Sequence, residues 1–254
     1  MVTGGTAGGG GWYRSAVNVS LTASDDLSGV AATYYAVDDL TCTPPSGGAA
    51  VPASCTSGTT LTVSGDGSHT VTYFSLDKAG NVEPRKTLTV EIDTTAPATT
   101  AAAAATTTPR RDITLSLSSL SVGGVQLGPA TCWITSGVAV TLAATDAGSG
   151  VAATQDALDG GAWTAYSSPV TITTPGFHTV QYRSTDTAGN QEQAESLSVV
   201  LFGPGNGRPG FACAAPTNTT PLPKHGVVQA AGTLTVTDAK GRTTTVPFNV
   251  SFTY

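Results

Sequence analysis

The sequence predicts an all-β protein made of two antiparallel β-sandwiches in tandem. Three observations point there. Thr, Ser, Val and Ala dominate, with 30 Gly and 15 Pro, while charged residues are only 11% of the chain. β-branched residues disfavour long helices, and Gly and Pro interrupt them. Apolar residues alternate with polar ones over short runs bounded by turn residues, the period-two signature of half-buried strands. Finally, the chain is an internal repeat.

The repeat has two matching blocks. Trp12–Thr33, "WYRSAVNVSLTASDDLSGVAAT", aligns without gaps on Trp133–Thr154, "WITSGVAVTLAATDAGSGVAAT". His69–Asn81, "HTVTYFSLDKAGN", aligns on His178–Asn190, "HTVQYRSTDTAGN". The first copy carries extra residues between its blocks, in the region holding "CTPPSGGAAVPASC" with Cys42 and Cys55. A disulfide at the neck of that inserted loop would lower the entropy of the unfolded chain.

The elements follow in order. "VNVSLTA" places Val17, Val19, Leu21 and Ala23 on one face, and "VAVTLAA" does the same with Val138, Val140, Leu142 and Ala144. A Gly turn leads to "SGVAATYYAVD" and "SGVAATQDALD". "TTLTVSG" and "SPVTITTPG" come next, then "HTVTYFSLD" and "HTVQYRSTD", and "KTLTVEID" and "ESLSVVLF" close the copies. Strands at this spacing, in units of this length, fit one Ig-like module per copy. The expected organisation is a flexible segment 1–10, an Ig-like domain 11–97, a linker with possible strands 98–131, a second Ig-like domain 132–202, and a coil with a C-terminal β-hairpin 203–254. The hairpin is expected to turn at Asp238–Gly241. An alternative pairs strands in 113–131 with that hairpin, the second copy inserted between them and a Cys132–Cys213 disulfide clamping its neck.

The formal net charge is -6. No Lys/Arg run is present, which excludes a nucleic-acid footprint. No apolar run has the length of a membrane helix, so no membrane insertion is expected in this segment. "MVTGGTAGGGGWYR" has no basic or apolar signal region, so an export signal or anchor is expected outside this sequence. The four cysteines, Cys42, Cys55, Cys132 and Cys213, form no C-x-x-C pair. Two disulfides and an oxidising, extracellular or cell-surface location follow.

Taken together, "GWYRSAVNVSLTASDDLSGV", "DKAGN" and "VEIDTTAP" resemble the bacterial Ig-like repeats of secreted and surface proteins, a type also catalogued as a leptospiral outer-membrane-protein β-barrel repeat. The second copy departs at its end, where "VVLFGPG" replaces "VEIDTTAP". The resemblance implies a non-catalytic spacer or adhesion segment whose partners are neighbouring Ig-like modules and a cell-surface glycan or protein. A carbohydrate-binding accessory module of a secreted hydrolase is the alternative.

The candidate site residues are these. Asp77, Gly80, Asn81 and their equivalents Asp186, Gly189, Asn190 form the repeated D-x-A-G-N turn. The carboxylate accepts turn N–H groups and Gly supplies a positive φ. Asp25, Asp26, Asp38, Asp77 and Asp93 are hard oxygen donors near loop ends, a possible Ca²⁺ ligand set, with Asp93 in the "DTTAP" junction. No other cofactor is expected. His69 and His178 recur without a nucleophile motif, so they are expected to pack at a strand entrance. Tyr73 and Tyr182 resemble the tyrosine corner of a sandwich. Trp12 and Trp133 are expected to cap the core. Trp163 and Tyr166 are candidate glycan contacts. No catalytic residue is expected.

Overall fold

The computed structural model describes the chain except residues 47–48, 107–112, 127–129, 203–209, 217–225, 238–239 and 254. Every regular element it describes is a β-strand. The chain divides into two compact units. One is Met1–Pro97 with Asp146–Ala152 and Thr185–Gln191; the other is Ala98–Thr145, Ala153–Ser184 and Glu192–Tyr254.

The first unit holds a sandwich. Val17–Ser20 is flanked by Val2–Gly4 and Thr60–Val63 in a three-stranded sheet. The facing sheet orders Trp12–Tyr13, Lys86–Ile92, Gly67–Asp77, Val30–Val37 and Thr56–Ser57. Alternation places Val17 and Val19 inward with Leu61 and Val63 from one sheet, and Val71, Val90 and Ile92 from the other; all are buried. A satellite cluster of Ala36, Cys42 and Phe74 lies beside the Cys42–Cys55 disulfide.

The segment expected to be flexible at 1–10 is instead built in. Val2–Gly4 pairs with the strand Val17–Ser20. The amide of Gly9 donates to the carbonyl of Ala188 at 3.1 Å, and a Cβ on Gly8 or Gly9 would stand 2.2 or 2.3 Å from a backbone oxygen of Ala188 or Thr187. The glycines permit that close approach, which no other residue could match without moving backbone.

The second unit stacks three sheets. Val138–Thr145 lies between Val170–Ile172 and Ala98–Ala105. The Thr/Ala run expected to be linker is therefore a strand, paired from Ala98 with Thr145 to Ala105 with Val138. A six-stranded sheet orders Thr131–Thr135, Gly210–Pro216, Glu195–Phe202, Gly176–Asp186, Val151–Leu158 and Thr164–Ala165. Its inner face buries Val180, Leu197, Val199 and Leu201 against Val138, Val140 and Ile172. Its other face buries Val200, Cys213 and Ala215 with Leu120, Val228 and Ala230 of a third sheet. Burial on both faces explains why "SLSVVLF" reads as a nearly continuous apolar run.

That third sheet orders Val125–Gln126, Ile113–Val122, Val227–Thr237 and Thr243–Thr253. Ile113–Val122 pairs with the tail strand from Ile113 with Val236 to Val122 with Val228. Cys132 pairs with Cys213 across the neighbouring strands and is disulfide-bonded to it. The turn of the tail hairpin begins on residues outside the described set.

Candidate functional site

The repeated motif is an exchange of hydrogen bonds between side chains and their own backbone. Asp77 accepts from the Asn81 amide at 2.8 Å through Oδ1, and from Asn81 Nδ2 at 2.7 Å through Oδ2. Asp186 does the same with Asn190, at 2.7 Å for both bonds, and accepts the Gly189 amide at 2.6 Å. Gly80 and Gly189 take φ of 87° and 96°. The Asn81 side chain is the main cause that holds Asp77 below the usual carboxylate value.

The histidines are also duplicated, and each has an aspartate partner. His69 Nδ1 lies 2.7 Å from Asp38 Oδ2, and His178 Nδ1 lies 2.8 Å from Asp159 Oδ2. Both aspartates adopt a left-handed backbone, with φ of 55° and 53°, a conformation Asp tolerates better than most residues. Their second oxygens accept the amides of Thr70 and Thr179. Asp159 carried no signal in the sequence beyond its alignment with Asp38.

Tyr182 is buried and donates to Glu195 at 3.1 Å rather than to backbone; burial, with Glu195, pushes its hydroxyl pKa far up. Trp133 packs on the core and Trp12 is half-buried. Tyr166 also packs on the core, and its hydroxyl accepts the Leu142 amide at 3.0 Å. The ring of Trp163 lies 4.3 Å under the Arg183 guanidinium.

The five aspartates read as a Ca²⁺ set are not gathered. Asp38 is engaged with His69. Asp25 caps its own loop, accepting from the amides of Leu27, Ser28 and Gly29. Asp25 and Asp77 line one groove of roughly 350 Å³, which Asn81, Glu83 and Lys86 share. Asp26 is exposed. Only Asp93 lies in a carboxylate cluster, and its companions are Asp146 and Asp186.

That cluster is assembled within the first unit. Asp93 follows the strand Lys86–Ile92, Asp146 follows Val138–Thr145, and Asp186 ends Gly176–Asp186. One oxygen from each lies within 4.8 Å of one from each of the others. Asp93 is 0% exposed and Asp186 2%. At such spacing two carboxylates repel by roughly 3 kcal/mol for an effective dielectric of about 20. Burial pushes Asp93 up, but bonds from Ser149 and from the Thr95 amide outweigh it and hold the carboxyl below its usual value. The Ser149 amide donates to Asp93 at 2.7 Å. Gly148 makes room: a Cβ there would stand 2.5 Å from the Asp93 carboxyl carbon. Asn190 joins the pieces, donating to the Asp93 carbonyl at 2.9 Å.

No family model matches the chain, and no curated protein matches it. Among solved structures it is similar to the fibronectin(III)-like modules of Clostridium thermocellum CbhA. The TM-score is 0.31 and the identity 11%, over 78% of this chain and 91% of that one.

Proposed function

We propose that this chain is a non-catalytic spacer or adhesion segment of a bacterial extracellular or cell-surface protein, made of Ig-like repeats of the D-x-A-G-N type. The observation that carries the reading is how the repeated polar residues are used. His, Asp and Asn, the types that build catalytic sites, bond in both copies to each other and to their own turns. Two disulfides fit an oxidising compartment.

The work of such a segment is mechanical: it resists extension while holding its neighbours apart. Antiparallel ladders supply resistance, and the Cys132–Cys213 bond withholds the 81-residue stretch it closes. Single-molecule pulling tests this. Distinct unfolding events are expected, and reduction of both disulfides should lengthen the fully extended chain by about 340 Å at roughly 3.6 Å per residue, about 290 Å of it from the Cys132–Cys213 loop. Smooth extension without force peaks would count against the reading. A glycan array offers the other arm: binding lost in Trp163→Ala would replace the spacer by a carbohydrate-binding module.

A further inference from the structure

We infer that Asp93, Asp146 and Asp186 form a binding site for one hard divalent cation of calcium size. The cluster alone does not make this case. The decisive atom is Asp146 Oδ1, which has less than 1 Å² exposed and no hydrogen-bond partner. Its sister oxygen, Oδ2, accepts the amides of Gly148 and Gly150 at 3.0 and 2.7 Å. A buried carboxylate oxygen left without a donor is costly, and a cation removes that cost.

Charge points the same way. Among the described residues, no Lys, Arg or His forms an ion pair with any of the three. The amides around them orient the carboxylates without neutralising them. Two oxygens on one ion stand at most two bond lengths apart, roughly 4.6–5.2 Å for Ca²⁺ and about 4.2 Å for Mg²⁺. Oxygens within 4.8 Å of one another fall inside the reach of the larger ion. Donors from three separate segments also suit the adaptable shell of Ca²⁺ better than the strict octahedron of Mg²⁺. Backbone carbonyls and water would complete six to eight ligands.

The first copy shows what the site requires. Asp25 and Asp77 align with Asp146 and Asp186, yet Leu27 stands where Gly148 does. Leu27 is 99% exposed, whereas at Gly148 any Cβ would stand 2.5 Å from the Asp93 carboxylate, so a side chain at that aligned position is incompatible with a carboxylate placed as Asp93 is. One site per chain follows, not two.

The test uses the whole oxidised chain, stripped with EDTA and dialysed, then titrated with CaCl₂ by calorimetry and melted with and without the ion. One Ca²⁺ per chain is expected, with a Tm that rises on addition and reverts with EDTA. Asp146→Asn should lose the response and Asp25→Asn keep it, and MgCl₂ should bind at least tenfold more weakly. No binding, two ions per chain, or an Asp146→Asn variant that responds normally would overturn the site. An equal response to Mg²⁺ would overturn the calcium-size assignment. If Asp146→Asn does not fold, the stoichiometry of the unmodified chain decides.

Discussion

His69 meets Asp38 through Nδ1 at 2.7 Å, while its Nε2 lies 3.0 Å from the carbonyl oxygen of Gly65. Carboxylate and carbonyl are acceptors only, so the two contacts are both satisfied only when both ring nitrogens carry protons, an arrangement that favours the imidazolium form. The hydrogen bond to Asp38, then that to Gly65, raises the His69 pKa above its ordinary 6.5. The same pair, with His69 named first and the Thr70 amide second, lowers Asp38 below 3.8.

The sign of the pH effect follows. The histidine contribution is complete below about pH 6.5 and is lost as pH rises through the raised folded value. The aspartate contribution is complete above about pH 4 and is lost as pH falls through the lowered one. Stability from this pair is therefore greatest between about pH 4 and 6.5. Asp38 is the one charged group acting on the ring; Val90 is its cross-strand neighbour on Lys86–Ile92. Urea melts at pH 5.5 and 8.5 should show a higher midpoint at the lower pH, and His69→Gln should shrink the gap. A gap unchanged in that variant would refute the assignment.

Gly148→Ala should destabilise by about 1–3 kcal/mol, the usual cost of overpacking. The added Cβ would stand 2.5 Å from both Cγ and Oδ2 of Asp93, whose carboxylate is held by two amides. Leu27→Gly, at the aligned position in open solvent, should cost no more than the lost helix-free backbone restriction of a loop, under about 1 kcal/mol. Equal effects at the two positions would mean that the contact with Asp93 is not what constrains Gly148.

The two disulfides should differ in what their loss costs. Loop-closure entropy gives about 4.5 kcal/mol for Cys132–Cys213, which closes 81 residues, and about 3 kcal/mol for Cys42–Cys55, which closes 13. Paired Cys→Ala variants compared by denaturation check the order. A larger loss at Cys42–Cys55 would show that the inserted loop packs more tightly than its satellite cluster suggests.

Much of the fold was legible because alternation and duplication report on faces and turns locally. Val17, Val19, Val138 and Val140 point inward as their spacing predicts. Ala98–Ala105 was not legible, because alanine and threonine carry no hydrophobic contrast; its strand exists because Val138–Thr145 offers it an edge. The carboxylate cluster was readable only in part. Asp93 stood out beside its junction, but Asp146 and Asp186 lie far along the chain and belong to turns that explain themselves locally. The exchange of Leu27 for Gly148 was the one signal, visible only once Asp93 is in place.

The third sheet sets a timetable for synthesis. Ile113–Val122 pairs at its end with Val125–Gln126, but its full-length partner is Val227–Thr237, a full sandwich later. Until the tail has been synthesised, most of that strand has no ladder to join. Its sequence, ITLSLSSLSV, interleaves serine with leucine, which keeps a waiting edge wettable and less adhesive to other nascent chains. Because such a chain still lacks Val227–Thr237, a nascent chain halted near residue 220 should nonetheless be the form most in need of a chaperone.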